Sequence, residues 1–283
     1  MKTILVMTDF SARAGHAAEE ALRIAERTGS DILLFNLFFV PAILPAESGV
    51  YPYYEEYGLL ENEVGQKLEQ AAAALKRTQG AVPVRIATAN RPLALGEDIF
   101  DSIDRSRTWL IVMGSKARNG RISDLVLGSL ASDVVERAFC PVLLVPETVN
   151  LQGDFKIAFA SNLEPSEDQA IAQVGTFAGI FGAGIVVIHV DKNGVPETER
   201  LRQMRNIEQV TAKFHYLAAS YQEIESPEVA ATLAELTRTA GVRVLAVVHR
   251  KLSFFTRLFG NSVTRELLNY RQAMLLVLPE AKR

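Results

Sequence analysis

The sequence predicts an α/β protein built twice over, two tandem copies of a domain whose parallel sheet is covered by helices on both faces. Three observations predict it. Short apolar runs of the buried-strand kind alternate with stretches of helical periodicity. Residues 3–37 pair with residues 156–190 at a constant shift of 153, without a gap, strand on strand and helix on helix. The pattern then returns, with "LIVMG" (110–114) over "LAVVH" (245–249) at a shift of 135 and "VLLVPE" over "LLVLPE" at 133. The copies span 1–150 and 151–283.

Each element has its own signal. "ILVMT" opens the first copy as a buried parallel strand. Ser11 is placed to cap a helix whose Ala14, Ala17, Ala21 and Ala25 recur every three or four residues, with Gly29 as its stop. "ILLFNL" is the second strand. Leu60, Val64, Leu68, Ala71 and Leu75 make the apolar stripe of a long second helix closed by Gly80. "VRIAT", a short helix carrying Ile99 and Ile103, "WLIVM", a helix from Ser129 with Val134 and Val135 on one face, and "VLLV" complete the copy. In the second copy "IAFASN" falls on the first strand and "IVVIHV" on the second, while Ala170, Val174 and Phe177 take the places of Ala17, Ala21 and Ile24. The fall of the shift from 153 to 135 leaves the first copy 18 residues longer, and the surplus lies in the Pro- and aromatic-rich segment 38–58. That segment reads equally as an ordered excursion over a pocket mouth or as a surface loop.

Composition narrows the class. With 48% hydrophobic and 22% charged residues the chain is that of an ordinary soluble globular protein. A net charge of −3 carries no nucleic-acid signature. The single cysteine, Cys140, forbids an internal disulfide and fits the cytoplasm. The stretch 174–190 bears no charge apart from His189, but it is too short and too rich in glycine to span a membrane and reads as a buried helix end turning into a strand.

Ligands of such sheets sit beyond the carboxyl ends of the strands, where the strand order reverses. That rule selects Thr8 and Asp9 after strand one, Leu37 at the end of strand two, and Met113 and Gly114 at the end of strand four. The loop that follows carries Lys116, Arg118 and Arg121 and leads to Gly128-Ser129 at a helix start, where charge and free amides both favour an anion. Gly114 would let a ligand approach the backbone closely. Each feature also has a plain structural use, Asp9 and Ser129 as helix caps and the basic cluster as a solvated loop. "GSKARNGRIS" is not a P-loop, and "GAG" (182–184) precedes a strand where a dinucleotide fingerprint would follow one.

The opening "ILVMTDFS", the "LIVMGS" strand end, the "LGS" helix start and the closing "CPVLLVP" together resemble the universal stress protein family, here as a tandem member. The resemblance implies a five-stranded, Rossmann-like fold of the adenine-nucleotide-binding type. It also implies antiparallel pairing of the two last strands, which would make the copies an internal pseudo-dimer. Members that bind ATP use a strand-one aspartate and a G-x-x-G-x9-G-[ST] loop; others lack the motif and bind none. Carried over, Asp9 is the aspartate at the adenosine end, Leu37 lines the adenine, Met113-Gly114 is the strand-four pair, and Gly128, Ser129 and Leu130 form the phosphate turn. The loop departs from the pattern, with Ala117 at the second glycine and one extra residue before Gly128, for which Gly120, Lys116 or Arg118 would compensate. Copy two departs further: Asn162 replaces the aspartate, His249 falls on Gly114 and Asn261 on Gly128, which makes it a structural partner.

Catalytic signals are few. His16, His189, His215 and His249 show no metal-ligand spacing, His189 reads as a hydrogen-bonded core imidazole, and Cys140 as an inert buried thiol. Glu19-Glu20 and Glu55-Glu56 read as solvated carboxylates. The expectation is a cytoplasmic protein that binds ATP or another adenine nucleotide in copy one without turnover, with magnesium held only through the phosphates. Its other partners would be the internal domain pair, a homo-oligomer and unidentified proteins, with no nucleic acid or membrane. The rival readings are a nucleotide-free interaction module and a slow ATP hydrolase using Asp124.

Overall fold

The computed structural model describes residues 2–39, 53–93, 98–115, 129–161, 163, 167–191, 212, 219–239, 241–249 and 273–279. The chain divides into two units, 1–114 and 115–283.

The first unit runs β1 (Thr3–Met7), α1 (Ala12–Thr28), β2 (Asp31–Phe39), α2 (Tyr53–Arg77), β3 (Ile86–Leu93) and β4 (Thr108–Gly114). Its strands are parallel in the order β3-β2-β1-β4. Ile4, Leu5 and Val6 are wholly buried, so β1 has no polar face and the apolar run of the sequence is that of a central strand. Ser11 caps α1, its hydroxyl accepting the Ala14 amide at 3.3 Å. Gly29 ends the helix at φ 64°, where a side chain would be strained.

The second unit holds α3 (Ser129–Arg137), β5 (Val142–Val145), β6 (Lys156–Ala160), α4 (Asp168–Phe181), β7 (Gly184–Asp191), β8 (Ala219–Glu225), α5 (Val229–Thr239), β9 (Val242–His249) and β10 (Met274–Pro279). The order β5-β10-β9-β6-β7-β8 is parallel except for β5 and β10, which run antiparallel with Leu143 opposite Leu276. The last strand of the first repeat thus belongs to the second unit through this pairing of two fully apolar strands. Val134 and Val135 of α3 are buried together. α4 ends at Gly182, again at φ 64°, and β7 follows at once, so the apolar stretch 174–190 is a helix end and a buried strand. Among the described residues no helix is long and apolar enough to cross a membrane.

The repeat survives in detail. Gly29 and Gly182 stand 153 apart, and so do Phe10 and Leu163, whose φ angles of 62° and 59° are rare for residues other than glycine. The register of β4 and β9 corrects the alignment at strand four. Met7 lies opposite Met113 and Ala160 opposite Val247, so Val248 stands in the place of Gly114, and His249 in that of Ser115.

Three further expectations change. Ile99 and Ile103 are buried, but on consecutive turns and not on a helix. Asp98 accepts the Phe100 amide and Asp104 the Ser106 and Arg107 amides, and these local bonds compete with helix formation. Glu20 is wholly buried and bonded to Arg23 at 3.1 Å, so it is not a solvated carboxylate. Of the surplus segment, 38–39 extend β2 and 53–58 begin α2; the stretch between lies outside the described residues.

Candidate functional site

In the first unit β2 and β3 lie on one side of β1 and β4 on the other, so the strand order reverses at the β1–β4 boundary. Thr8 and Asp9 follow β1 directly, and Gly114 ends β4. The sequence rule and the topology select the same edge.

The turn there is built by Thr8. Its amide donates to the Phe35 carbonyl at 2.9 Å, which extends the β1–β2 ladder by one bond. Its hydroxyl accepts the Phe10 amide at 3.0 Å, and its carbonyl accepts the Asn36 side-chain amide at 2.7 Å. These bonds hold Phe10 in its left-handed conformation and turn the chain sharply into α1.

Asp9 stands on that turn with its carboxylate half exposed, at 53%. Oδ1 accepts the Ser11 amide at 3.1 Å and also the Ser11 hydroxyl. Oδ2 accepts Arg13 Nη2 at 2.6 Å. A relay results, from the Ala14 amide to the Ser11 hydroxyl and from there to Asp9. Partial burial pushes the Asp9 carboxyl up, but the Ser11 hydrogen bonds and the Arg13 guanidinium outweigh it and hold the group below its ordinary value. Asp9 is therefore an oriented anion at neutral pH.

Leu37 is half-buried opposite Arg91, and Met113 is buried beside Met7. Gly114 has a geometric reason to be glycine. A β-carbon there would lie 2.8 Å from the carbonyl carbon and oxygen of Arg13 and 3.0 Å from the Ala14 nitrogen. The first turn of α1 thus rests on the end of β4. In the second repeat Val248 takes that place.

In the second unit Ser129 opens α3 and Leu130 is half-buried behind it. Lys116, Ala117, Arg118, Gly120, Asp124 and Gly128 lie outside the described residues, as do Asn162, His215 and Asn261. Sequence reasoning missed Arg13 and Asn36. The signal for Arg13 was its four-residue spacing from Asp9. The signal for Asn36 was a polar residue inside an apolar strand.

The second repeat rebuilds the turn with other side chains. The Ser161 amide donates to the Ile188 carbonyl at 2.9 Å and the Leu163 amide to the Ser161 hydroxyl at 2.9 Å. His189 takes the role of Asn36, its Nδ1–H donating to the Ser161 carbonyl at 2.9 Å. The Ser161 hydroxyl donates to the buried Glu167 at 2.5 Å, where the first repeat has Ala14. His189 is thus a hydrogen-bonded imidazole at the edge of the core.

A groove of about 610 Å³ lies along α2 and β3, lined by Glu61, Asn62, Gln66, Glu69 and Asn90 among others. It shares no residue with the Asp9 turn, and its polar side chains are amides and acids. Among the described residues no group of three or more His, Cys, Asp or Glu could hold a metal ion.

Comparison with known proteins agrees with this architecture. The sequence profile of the universal stress protein family matches residues 1–146. A universal stress protein of Methanocaldococcus jannaschii is 30% identical over 146 residues, 51% of this chain and 81% of that relative. The crystal structure of a universal stress protein from Archaeoglobus fulgidus aligns with a TM-score of 0.66 at 16% identity, over 99% of this chain and 97% of that one. A Pseudomonas aeruginosa protein of unknown function aligns at 0.58 and 16% identity, over 99% and 93%.

Proposed function

The chain belongs to the universal stress protein family, and from that premise we propose that its first repeat binds an adenine nucleotide, ATP or AMP, as a ligand and does not turn it over. The observation that carries this is Asp9, a half-exposed carboxylate kept anionic and oriented at the point where the strand order reverses.

The residues present suit such a ligand. Asp9 is an acceptor for the hydroxyl or amine donors of a nucleoside, and Leu37 offers apolar surface for a base. Ser129 opens α3, and the first amides of a helix are left unpaired by helix geometry and favour phosphate. Magnesium would enter only with the phosphates. In the second repeat the Ser161 hydroxyl of the corresponding turn is taken by Glu167, and Asn162 stands at the position of Asp9. That supports one site per chain, with the second repeat as structural partner and the antiparallel β5–β10 pair as the link between the repeats. Ligand binding would then gate contacts with other proteins in a cytoplasmic stress response.

One observation favours a second reading. Both Asp9 oxygens are already hydrogen-bonded within the chain, as expected of an interaction module that binds no nucleotide. Calorimetric titration of the full chain with ATP and AMP separates the two. Near-stoichiometric binding lost in Asp9→Ala supports the nucleotide site. No heat, and no thermal shift at millimolar ATP, would leave the interaction module. Phosphate release measured with and without magnesium tests the absence of turnover.

A further inference from the structure

Arg13 has one partner among the described residues, Asp9, which it meets at 2.6 Å. Its side chain is 33% exposed. A ligand donor that takes Asp9 competes with Ser11 at Oδ1 or with Arg13 at Oδ2. Displacing Ser11 would also disturb the cap of α1, because the same hydroxyl accepts the Ala14 amide. Displacing Arg13 breaks its one contact among the described residues, so Arg13 is the group that yields.

The backbone at this position cannot follow. The Arg13 carbonyl is pressed against Gly114, so only the side chain beyond the α-carbon is free to move. Once released, the guanidinium at the strand switch point has given up its one acidic partner among the described residues. A phosphate oxygen replaces it, through charge-assisted and bidentate hydrogen bonds. A neutral nucleoside does not. The second repeat has lost both members of the pair together, with Asn162 and Ser166 at the positions corresponding to Asp9 and Arg13.

We infer that Arg13 is a specificity gate on Asp9, surrendering the carboxylate readily only to ligands that bring their own negative charge. The inference rests on the nucleotide site proposed above and adds to it a preference for phosphorylated nucleosides over adenosine. An exposed ion pair of this kind is worth at most about fivefold in an equilibrium, so the gate on a neutral ligand is light. The larger effect is the lost contact to phosphate, roughly tenfold or more.

The test is calorimetric titration of the full chain, wild type and Arg13→Gln, with ATP and with adenosine, together with NMR titration of the Asp9 carboxyl in nucleotide-free protein. In Arg13→Gln adenosine should bind about twofold to fivefold more tightly and ATP about tenfold more weakly, and Asp9 should titrate closer to its ordinary value. Arg13→Lys, which keeps the charge without the planar fork, should restore part of the ATP preference. ATP binding with an unchanged preference over adenosine in Arg13→Gln would overturn the gate and leave the nucleotide site standing. No ATP binding by the wild type would overturn both.

Discussion

The α-carbon of Gly114 lies against the carbonyl of Arg13, so closely that a β-carbon at 114 would stand 2.8 Å from both its carbon and its oxygen. The contact joins the end of β4 to the first turn of α1. It also gives this glycine a use that needs no ligand. Gly114→Ala should therefore destabilise the first unit by about 1–3 kcal/mol, because backbone must shift on both sides. Gly65→Ala, in the middle of α2 with nothing near its would-be β-carbon, should instead stabilise by roughly 0.5–1 kcal/mol. Urea unfolding of the two variants checks the pair. Equal effects would mean that helix packing is not what glycine serves at 114.

The Asp9 pair makes a prediction about acid. The Asp9 carboxyl lies below its ordinary value of 3.8 in the folded protein, so its contribution to stability is complete above about that pH. It is lost as the pH falls through the lower, folded-state value. Asp9→Asn should flatten the stability curve in this acid range and leave its slope near neutrality unchanged. The measurement is the urea midpoint at successive pH values below 5. A wild-type curve that Asn does not flatten would mean that Asp9 is not held as an anion.

Much of this was legible in the sequence, for a physical reason. The repeat is written in caps and turns, where single residues are constrained: Gly29 with Gly182, Thr8 with Ser161, Ser11 before α1. Strand four was misaligned by one residue because an apolar run such as "LIVM" matches "LAVV" at more than one shift. Only pairing with β1 and β6 fixes the register and gives Val248 the position in its repeat that Gly114 has in the first. The helix expected around Ile99 failed because Asp98 and Asp104 spend their side chains on nearby amides. At the site, Asp9 was found from its place after a strand, whereas its clamp by Arg13 depends on how the chain turns between them, which Phe10 sets with a conformation no pattern announces.

Cys140 was read as inert, and its surroundings agree. It is buried just ahead of β5, and burial pushes its thiol up to about 12, so almost no thiolate exists at pH 8. A thiol reagent should label the native protein only as fast as it opens, and the denatured protein at once. Rapid labelling of the native protein would place the residue in a different environment.

The two repeats make the same bond with different chemistry, and that can be tested by exchange. Asn36 donates its side-chain amide to the Thr8 carbonyl, and His189 donates Nδ1–H to the Ser161 carbonyl. The donor nitrogen is the same number of bonds from the α-carbon in both residues, so either can reach across the strand ends. If the shared donor is what each position requires, His189→Asn keeps the bond in a smaller side chain and should cost under about 1 kcal/mol. His189→Leu keeps the bulk but leaves the Ser161 carbonyl without this donor, and should cost about 1–3 kcal/mol. Asn36→Ala should cost a similar amount in the first repeat. The comparison is one of urea midpoints across the three variants. Equal losses in His189→Asn and His189→Leu would mean that packing around the ring, and not the bond to Ser161, holds this strand end together.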